Sequence, residues 1–277
     1  MAREEWGAAP ESVAAAAMFE DKPSLSGSGP RRGQHVSLSA RQRLVACAAA
    51  LLALILGVLD PHGLFLGVYW GFFVVFLSGA LIRVAAICTP RASERATPLS
   101  DEALPPYTLI VPLYGEAELA GELVAHLNRL DYPRDRLQAL IVLEADDLAT
   151  RSAFRALDLP AFIQVLVVPP GSPRTKPRAC NVALNWTKGD LVVIYDAEDA
   201  PDPLQLREAA ARFAVEDADL ACLQAPLRVE TPSYPAFIPH QFQLEYAALF
   251  EVLLPAYARW GLPFPLGGTS NHFNGIM

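Results

Sequence analysis

Two charge-free apolar runs stand out along the chain. Residues 44–59 (LVACAAALLALILGVL) and 64–82 (LFLGVYWGFFVVFLSGALI) are apolar on all sides, and Asp60-Pro61-His62-Gly63 joins them in a strong turn signal. The second run is close to the roughly 20 residues that cross a bilayer; the first is about a turn short, and Arg41 and Arg43 can extend it by snorkelling. The pattern predicts a two-helix transmembrane hairpin over 41–83, with a buried hairpin of a soluble core as the alternative. Arg31, Arg32, Arg41 and Arg43 precede it, Arg83, Arg91 and Arg95 follow it, and the turn carries no Lys or Arg. The positive-inside rule then puts both ends in the cytoplasm, so the expectation is a multi-pass protein of an inner or plasma membrane with its soluble part in the cytosol. Residues 1–40, rich in Ala, Gly, Ser and Pro, read as a disordered tail. The apolar run begins too late for a secretory signal.

Residues 84–106 read as a linker. From 107 to 277 the pattern becomes that of a soluble domain. Apolar runs at 107–111, 138–143, 163–168 and 190–195, and a weaker one at 220–224, alternate with helix-like stretches at 116–130, 148–158, 178–187 and 203–215. This repetition predicts an α/β fold with a mostly parallel sheet and flanking helices, whose ligands bind beyond the carboxyl ends of the strands. A long amphipathic helix is expected over 236–259, kinked or divided by Pro239 and Pro255, and either packed on the domain or lying on a membrane interface.

The composition narrows the function. Of 277 residues 52% are hydrophobic and 19% charged, too apolar for a disordered chain. With 22 Lys and Arg against 30 Asp and Glu, the net charge is −8, which disfavours nucleic acid as a partner. The four cysteines are widely separated and form no CxxC pair, so neither a disulfide framework nor a thiolate zinc site is expected. There is no HExxH, GxSxG or Walker A pattern.

Chemistry collects after the strands. The first ends in Val111-Pro112-Leu113-Tyr114-Gly115-Glu116, a bracketed turn. The second ends in Leu143-Glu144-Ala145-Asp146-Asp147, whose carboxylates repel unless cations or N–H donors meet them. A helix cap for Asp147 and recognition of a base or ribose are both open. The third leads into a basic loop with Arg174, Lys176 and Arg178, a plausible phosphate site, with a plain solvated loop as the alternative. The fourth ends in Asp196-Ala197-Glu198-Asp199. Residues i and i+2 of an extended segment share a face, so Asp196 and Glu198 make a candidate site for Mg2+ or Mn2+. An acidic turn capping a helix is the bland reading, with Asp202 as the best N-cap candidate.

Together VPLYGE, LEADD, TKPRACN, DAED and LGGTSNHF, in this order over about three fifths of the chain, resemble the processive family 2 glycosyltransferases, cellulose-synthase-like bacterial membrane enzymes with a GT-A fold. The resemblance implies a nucleotide-sugar donor, expected to be a UDP-sugar, and a polysaccharide or other acceptor hydroxyl. It places Asp146, Asp147, Lys176 and Asp196 at the nucleotide sugar, Asp196 and Glu198 on the metal, and Gly268, Thr269, Ser270, Asn271 and His272 on the acceptor side. The family's TED-type base and QxxRW motifs have no counterpart here, and Ala256 stands where Gln would belong before Arg259-Trp260. The chain is therefore expected to be the first half of such an enzyme, with no assigned catalytic base and weak or no transfer alone. The rivals are a non-catalytic membrane protein that binds a nucleotide sugar or a partner subunit, and a tethered α/β module without nucleotide affinity.

Overall fold

The computed structural model describes residues 39–90, 96–169, 171–172, 174–216, 220–229 and 237–274. The tail expected over 1–40 lies outside these except for Ser39 and Ala40, which open the first helix. Contacts divide the chain into two compact units, one holding the hairpin (Glu20–Arg91) and one holding the α/β domain from Ala92 onward.

In the hairpin, α1 (Ala40–Leu59, 20 residues) and α2 (Pro61–Cys88, 28 residues) are both longer than their apolar runs, α2 by more than two turns. Ser39 and Gln42 form a reciprocal capping box, which starts α1 ahead of the apolar run. The Asp60 carboxylate accepts from the Gly63 amide at 2.8 Å, and Pro61 takes the first helical position, where its missing N–H costs nothing. Nothing interrupts α2 at Arg83, so it runs on into the expected linker and stops at Thr89, just before Pro90. Both helices are long and apolar enough to cross a bilayer.

The domain is built on a sheet of six strands: β1 (Tyr107–Leu113), β2 (Leu137–Glu144), β3 (Ile163–Val168), β4 (Leu191–Ile194), β5 (Cys222–Gln224) and β6 (Asn271–Asn274). Their order is β3-β2-β1-β4-β6-β5. The first four in that order run parallel, and β6 runs antiparallel to both β4 and β5. Strands β1 and β2 are covered on both faces, which explains their nearly unbroken apolar sequence. One face (Leu109, Val111, Ile141, Val193, Tyr195) packs on α3 (Ala120–Asn128), α4 (Leu148–Arg155) and α6 (Gln205–Val215) through Leu123, Leu127, Phe154 and Leu206. The other (Ile110, Leu140, Val142, Val192) packs on α5 (Lys176–Ala183) through Ala179, Cys180 and Ala183. Of the expected linker, Leu104 is buried in the first of these cores, so the domain begins before Tyr107.

The expected long helix is divided. Helix α7 (Phe237–Ala248) passes through a π-turn at Leu249–Leu253 into α8 (Leu254–Arg259). The break precedes Pro255, whose ring would clash with the carbonyl four residues back in a regular helix. Phe250, Leu254 and Ala256 are buried, whereas Phe237, Ile238, Phe242 and Leu244 of α7 are exposed.

Candidate active site at the carboxyl edge of the sheet

The three carboxyl groups at the end of β2 find three different partners. Glu144 is buried and meets the Arg178 guanidinium at 3.2 and 3.3 Å. Asp146 is half-exposed and meets Arg174 at 2.5 Å. Asp147 caps α4, accepting from the Thr150 amide at 3.2 Å, while its other oxygen accepts from the Gly115 amide at 2.6 Å. Burial pushes the Asp147 carboxyl up, but hydrogen bonds from Thr150 and Gly115 outweigh it and leave the pKa lowered. Both Asp147 oxygens thus serve backbone amides of its own helix and of the loop after β1. This is the cap reading, and it leaves Asp146 as the carboxylate that faces outward. Gly115 takes a φ of 71°, a left-handed turn that suits glycine.

The basic segment supplies the partners of Glu144 and Asp146. Arg174, Lys176 and Arg178 each bind an acidic residue from a strand end. Arg174 also donates to the Tyr114 hydroxyl at 2.7 Å and stacks on that ring. The Lys176 ammonium bonds the Asp196 carboxylate and the Gly268 carbonyl, the latter at 3.0 Å. Three cations on alternate residues therefore offset the acids of β2 and β4, so the loop is not simply solvated.

After β4 the chain turns, and the alternation of the strand persists. Tyr195 and Ala197 lie in the core, between which Asp196 is half-exposed, and Glu198 is exposed. Asp199, which the sequence reading gave no role, holds this turn together. It accepts from the Asp196 amide at 2.8 Å and from the Thr269 hydroxyl, while Thr269 in turn accepts from the Asp196 amide at 3.1 Å. Burial raises the Asp199 pKa, and the charges of Asp196 and Glu198 add to the rise. Its position three residues after Asp196, in an acidic turn, is the sequence signal that could have marked it. Glu116 also belongs to this acidic neighbourhood: burial raises its pKa first, with further contributions from Glu198 and Asp196. Asp202 accepts from the Leu204 amide at 2.8 Å, one turn ahead of α6.

The segment expected on the acceptor side is mostly interior. Gly268 is exposed, but Thr269, Ser270, Asn271 and His272 are all buried. Ser270 adopts a φ of 56°, and its amide bonds the Ile194 carbonyl at 2.7 Å, which turns the chain into β6. The register sets His272 beside Val193, so its ring enters the core under β4. There Nδ1 lies 2.6 Å from the Tyr107 hydroxyl, and Tyr195 packs edge-on. His272 sits beneath the site and not in it; the polar sequence hid a strand whose side chains face the core. Gly268 and Thr269 are the members that reach the Asp196 turn.

The sequence matches the family model described as "Glycosyltransferase like family 2" over residues 105–268, more than half of the chain. It is 35% identical over 156 residues to the beta-monoglucosyldiacylglycerol synthase of Synechocystis sp. (strain ATCC 27184 / PCC 6803 / Kazusa), covering 52% of this chain and 32% of that protein. It is 27% identical over 123 residues to the poly(ribitol-phosphate) beta-N-acetylglucosaminyltransferase TarS of Staphylococcus aureus, covering 43% of this chain and 20% of TarS. Among solved structures, the mannosyltransferase PcManGT from Pyrobaculum calidifontis in complex with GDP-Man and Mn2+ aligns with a TM-score of 0.46 at 28% identity, covering 58% of this chain and 46% of that one. The matched region spans about a third or less of the length of these two curated relatives. The six-stranded, mostly parallel sheet with flanking helices agrees with the GT-A-like fold that the resemblance implied, and the chain belongs to glycosyltransferase family 2.

Proposed function

We propose that this chain is the donor-binding part of a membrane-anchored glycosyltransferase that moves a sugar from a nucleotide, a UDP-sugar in our reading, to an acceptor hydroxyl. One observation carries the proposal: in a family 2 domain, Lys176 grips Asp196 next to exposed Glu198 at the carboxyl end of a central strand. The donor set suits a hard dication. Asp196 and Glu198 offer only oxygen, and their field raises the Glu116 pKa after burial has done so, which marks an excess of negative charge. Among the described residues no group of three or more His, Cys, Asp or Glu side chains could hold a metal alone, so donor phosphates and water would complete the shell. Mg2+ or Mn2+ held by Asp196 and Glu198 would neutralise charge on a leaving diphosphate. Lys176 adds an ammonium beside that diphosphate, and half-exposed Asp146 takes the nucleoside end.

The hairpin anchors the domain to the bilayer, with both ends on the cytosolic side as the arginines indicate. The acceptor is a polysaccharide or another hydroxyl at the membrane; a relative named for a monoglucosylated diacylglycerol brings a lipid hydroxyl within that class. No residue of this chain is assigned as the general base.

The test is calorimetric titration of the detergent-solubilised chain with UDP, with and without Mn2+, followed by assays of donor hydrolysis and transfer. Mn2+-dependent UDP binding that disappears in Asp196→Ala is expected. Unchanged binding in that variant removes Asp196 from the site, and binding without any turnover favours a non-catalytic nucleotide-sugar-binding protein.

A further inference from the structure

A cavity of about 440 Å³ opens at the amino-terminal edge of the sheet, where β1 and β2 begin. Asp146 and Asp196 follow the opposite ends of β2 and β4, so the length of a strand, about 20 Å, separates this cavity from the donor site. Its volume lies within the range of small-molecule sites. Arg134, Arg136 and Lys188 line it together with Gln138, Gln164 and Phe162.

The charge in this cavity is unbalanced. Arg174, Lys176, Arg178, Arg207 and Arg212 of the same domain each meet a carboxylate. Among the described residues no ion pair joins Arg134, Arg136 or Lys188 to any acid, although Asp135 also lines the cavity. The cations are nevertheless held in place by uncharged groups. Arg136 donates to the Glu102 and Leu104 carbonyls at 2.9 and 2.5 Å. Arg134 donates to the Asn128 carbonyl at 2.7 Å and lies 4.6 Å over the Phe162 ring. The backbone of Lys188 is fixed by its amide, which donates to Gln138 at 3.0 Å and to Thr108 at 3.2 Å. Anchoring by carbonyls and a ring orders the positive charges with no carboxylate in contact, although the Glu102 carboxylate feels Arg136 through space. In a chain of net charge −8, such a cluster at one concave site is a local attractor for an anion. Guanidinium forks suit phosphate oxygens, and the Phe162 wall suits an apolar body attached to them.

We propose that this cavity binds an organic phosphate at a site separate from the sugar donor's. The test uses the full chain in nanodiscs of phosphatidylcholine, with calorimetric titration of two probes, glycerol 3-phosphate and dihexanoyl-phosphatidylglycerol. At least one probe is expected to bind saturably at millimolar concentration or below, more weakly as salt rises. Lys188→Gln and Arg134→Gln should each weaken that binding about tenfold, the cost of one charge-assisted contact. Lys176→Gln, at the donor site, should leave it unchanged. Tighter binding of the short-chain lipid identifies a lipid headgroup as the natural source, and the reverse order identifies a soluble phosphate. The proposal is overturned if neither probe saturates, if Lys188→Gln and Arg134→Gln bind like the parent protein, or if Lys176→Gln abolishes binding. The Lys188 side chain is exposed and, among the described residues, has no hydrogen-bond or ion-pair partner to lose, so Lys188→Glu serves as a second, fold-neutral variant and should eliminate binding.

Discussion

Acidification from pH 7 to pH 5 should loosen the α/β domain through His272. The ring is 1% exposed and faces two phenols, Tyr107 at 2.6 Å from Nδ1 and Tyr195 edge-on, while Nε2 has no hydrogen-bond partner. Burial raises the pKa of both phenols, so neither supplies a negative charge that could stabilise an imidazolium. Burial lowers the histidine from 6.5 to about 4. The unfolded chain therefore takes up a proton near pH 6.5 that the folded chain refuses until about pH 4. Stability from this group is complete above pH 6.5 and declines as the pH falls through the window from 6.5 to 4. The slope is about 1.4 kcal/mol per pH unit, which integrates to roughly 2 kcal/mol between pH 7 and pH 5. Native-state hydrogen exchange of the β1, β4 and β6 amides in detergent-solubilised protein, corrected for intrinsic rates, measures this loss. His272→Gln cannot ionise, so its curve should lack that increment even if the variant is less stable throughout. Contributions from carboxyl groups, Asp199 among them, are common to both proteins and cancel in the comparison. Parallel curves for the two proteins would refute the reasoning.

Other residues make sharper local claims. Asp147→Ala removes the α4 cap and the acceptor of the Gly115 amide, and should cost about 2–3 kcal/mol in thermal or exchange measurements. Thr269→Val strips Asp199 of a hydrogen bond and the Asp196 amide of an acceptor. It should weaken Mn2+-dependent UDP binding about tenfold, with Thr269→Ser restoring it. A Cβ on Gly189 would sit 2.5 Å from the Thr108 backbone nitrogen, so Gly189→Ala should destabilise the domain by about 1–3 kcal/mol, seen as a lower Tm. Lys176→Gln should weaken UDP binding while leaving the fold intact, because Asp196 is half-exposed and water can replace the lost ammonium.

Much of the fold was legible because burial on both faces leaves a simple mark. The runs at 107–111 and 138–143 became β1 and β2, since a parallel strand between two helical layers is apolar nearly throughout, and 163–168 became the edge strand β3 with the same bounds, its one polar residue, Gln164, exposed. The division of the helix near Pro255 was legible for a local reason as well, a ring that cannot sit in a regular helix. Strand β6 was not. Asn271-His272-Phe273-Asn274 has no apolar run, and its burial depends on a phenol 165 residues earlier in the chain meeting the imidazole.

The site divides in the same way. Sequence alone determined that acids lie at the end of β2 and after β4, that a basic segment lies between them, and that Asp196 and Glu198 are spaced as residues i and i+2. Those are consequences of backbone periodicity, which is local. Only the tertiary structure decided which acid meets which cation, that Asp147 serves backbone amides while Asp146 faces outward, and that Asp199 joins the β4 turn to Thr269. Each of those choices depends on which strands are neighbours. Hydrogen bonds and ion pairs act over a few ångströms, and the partners that satisfy these groups are distant in sequence, so pairing is settled when the sheet assembles and not before.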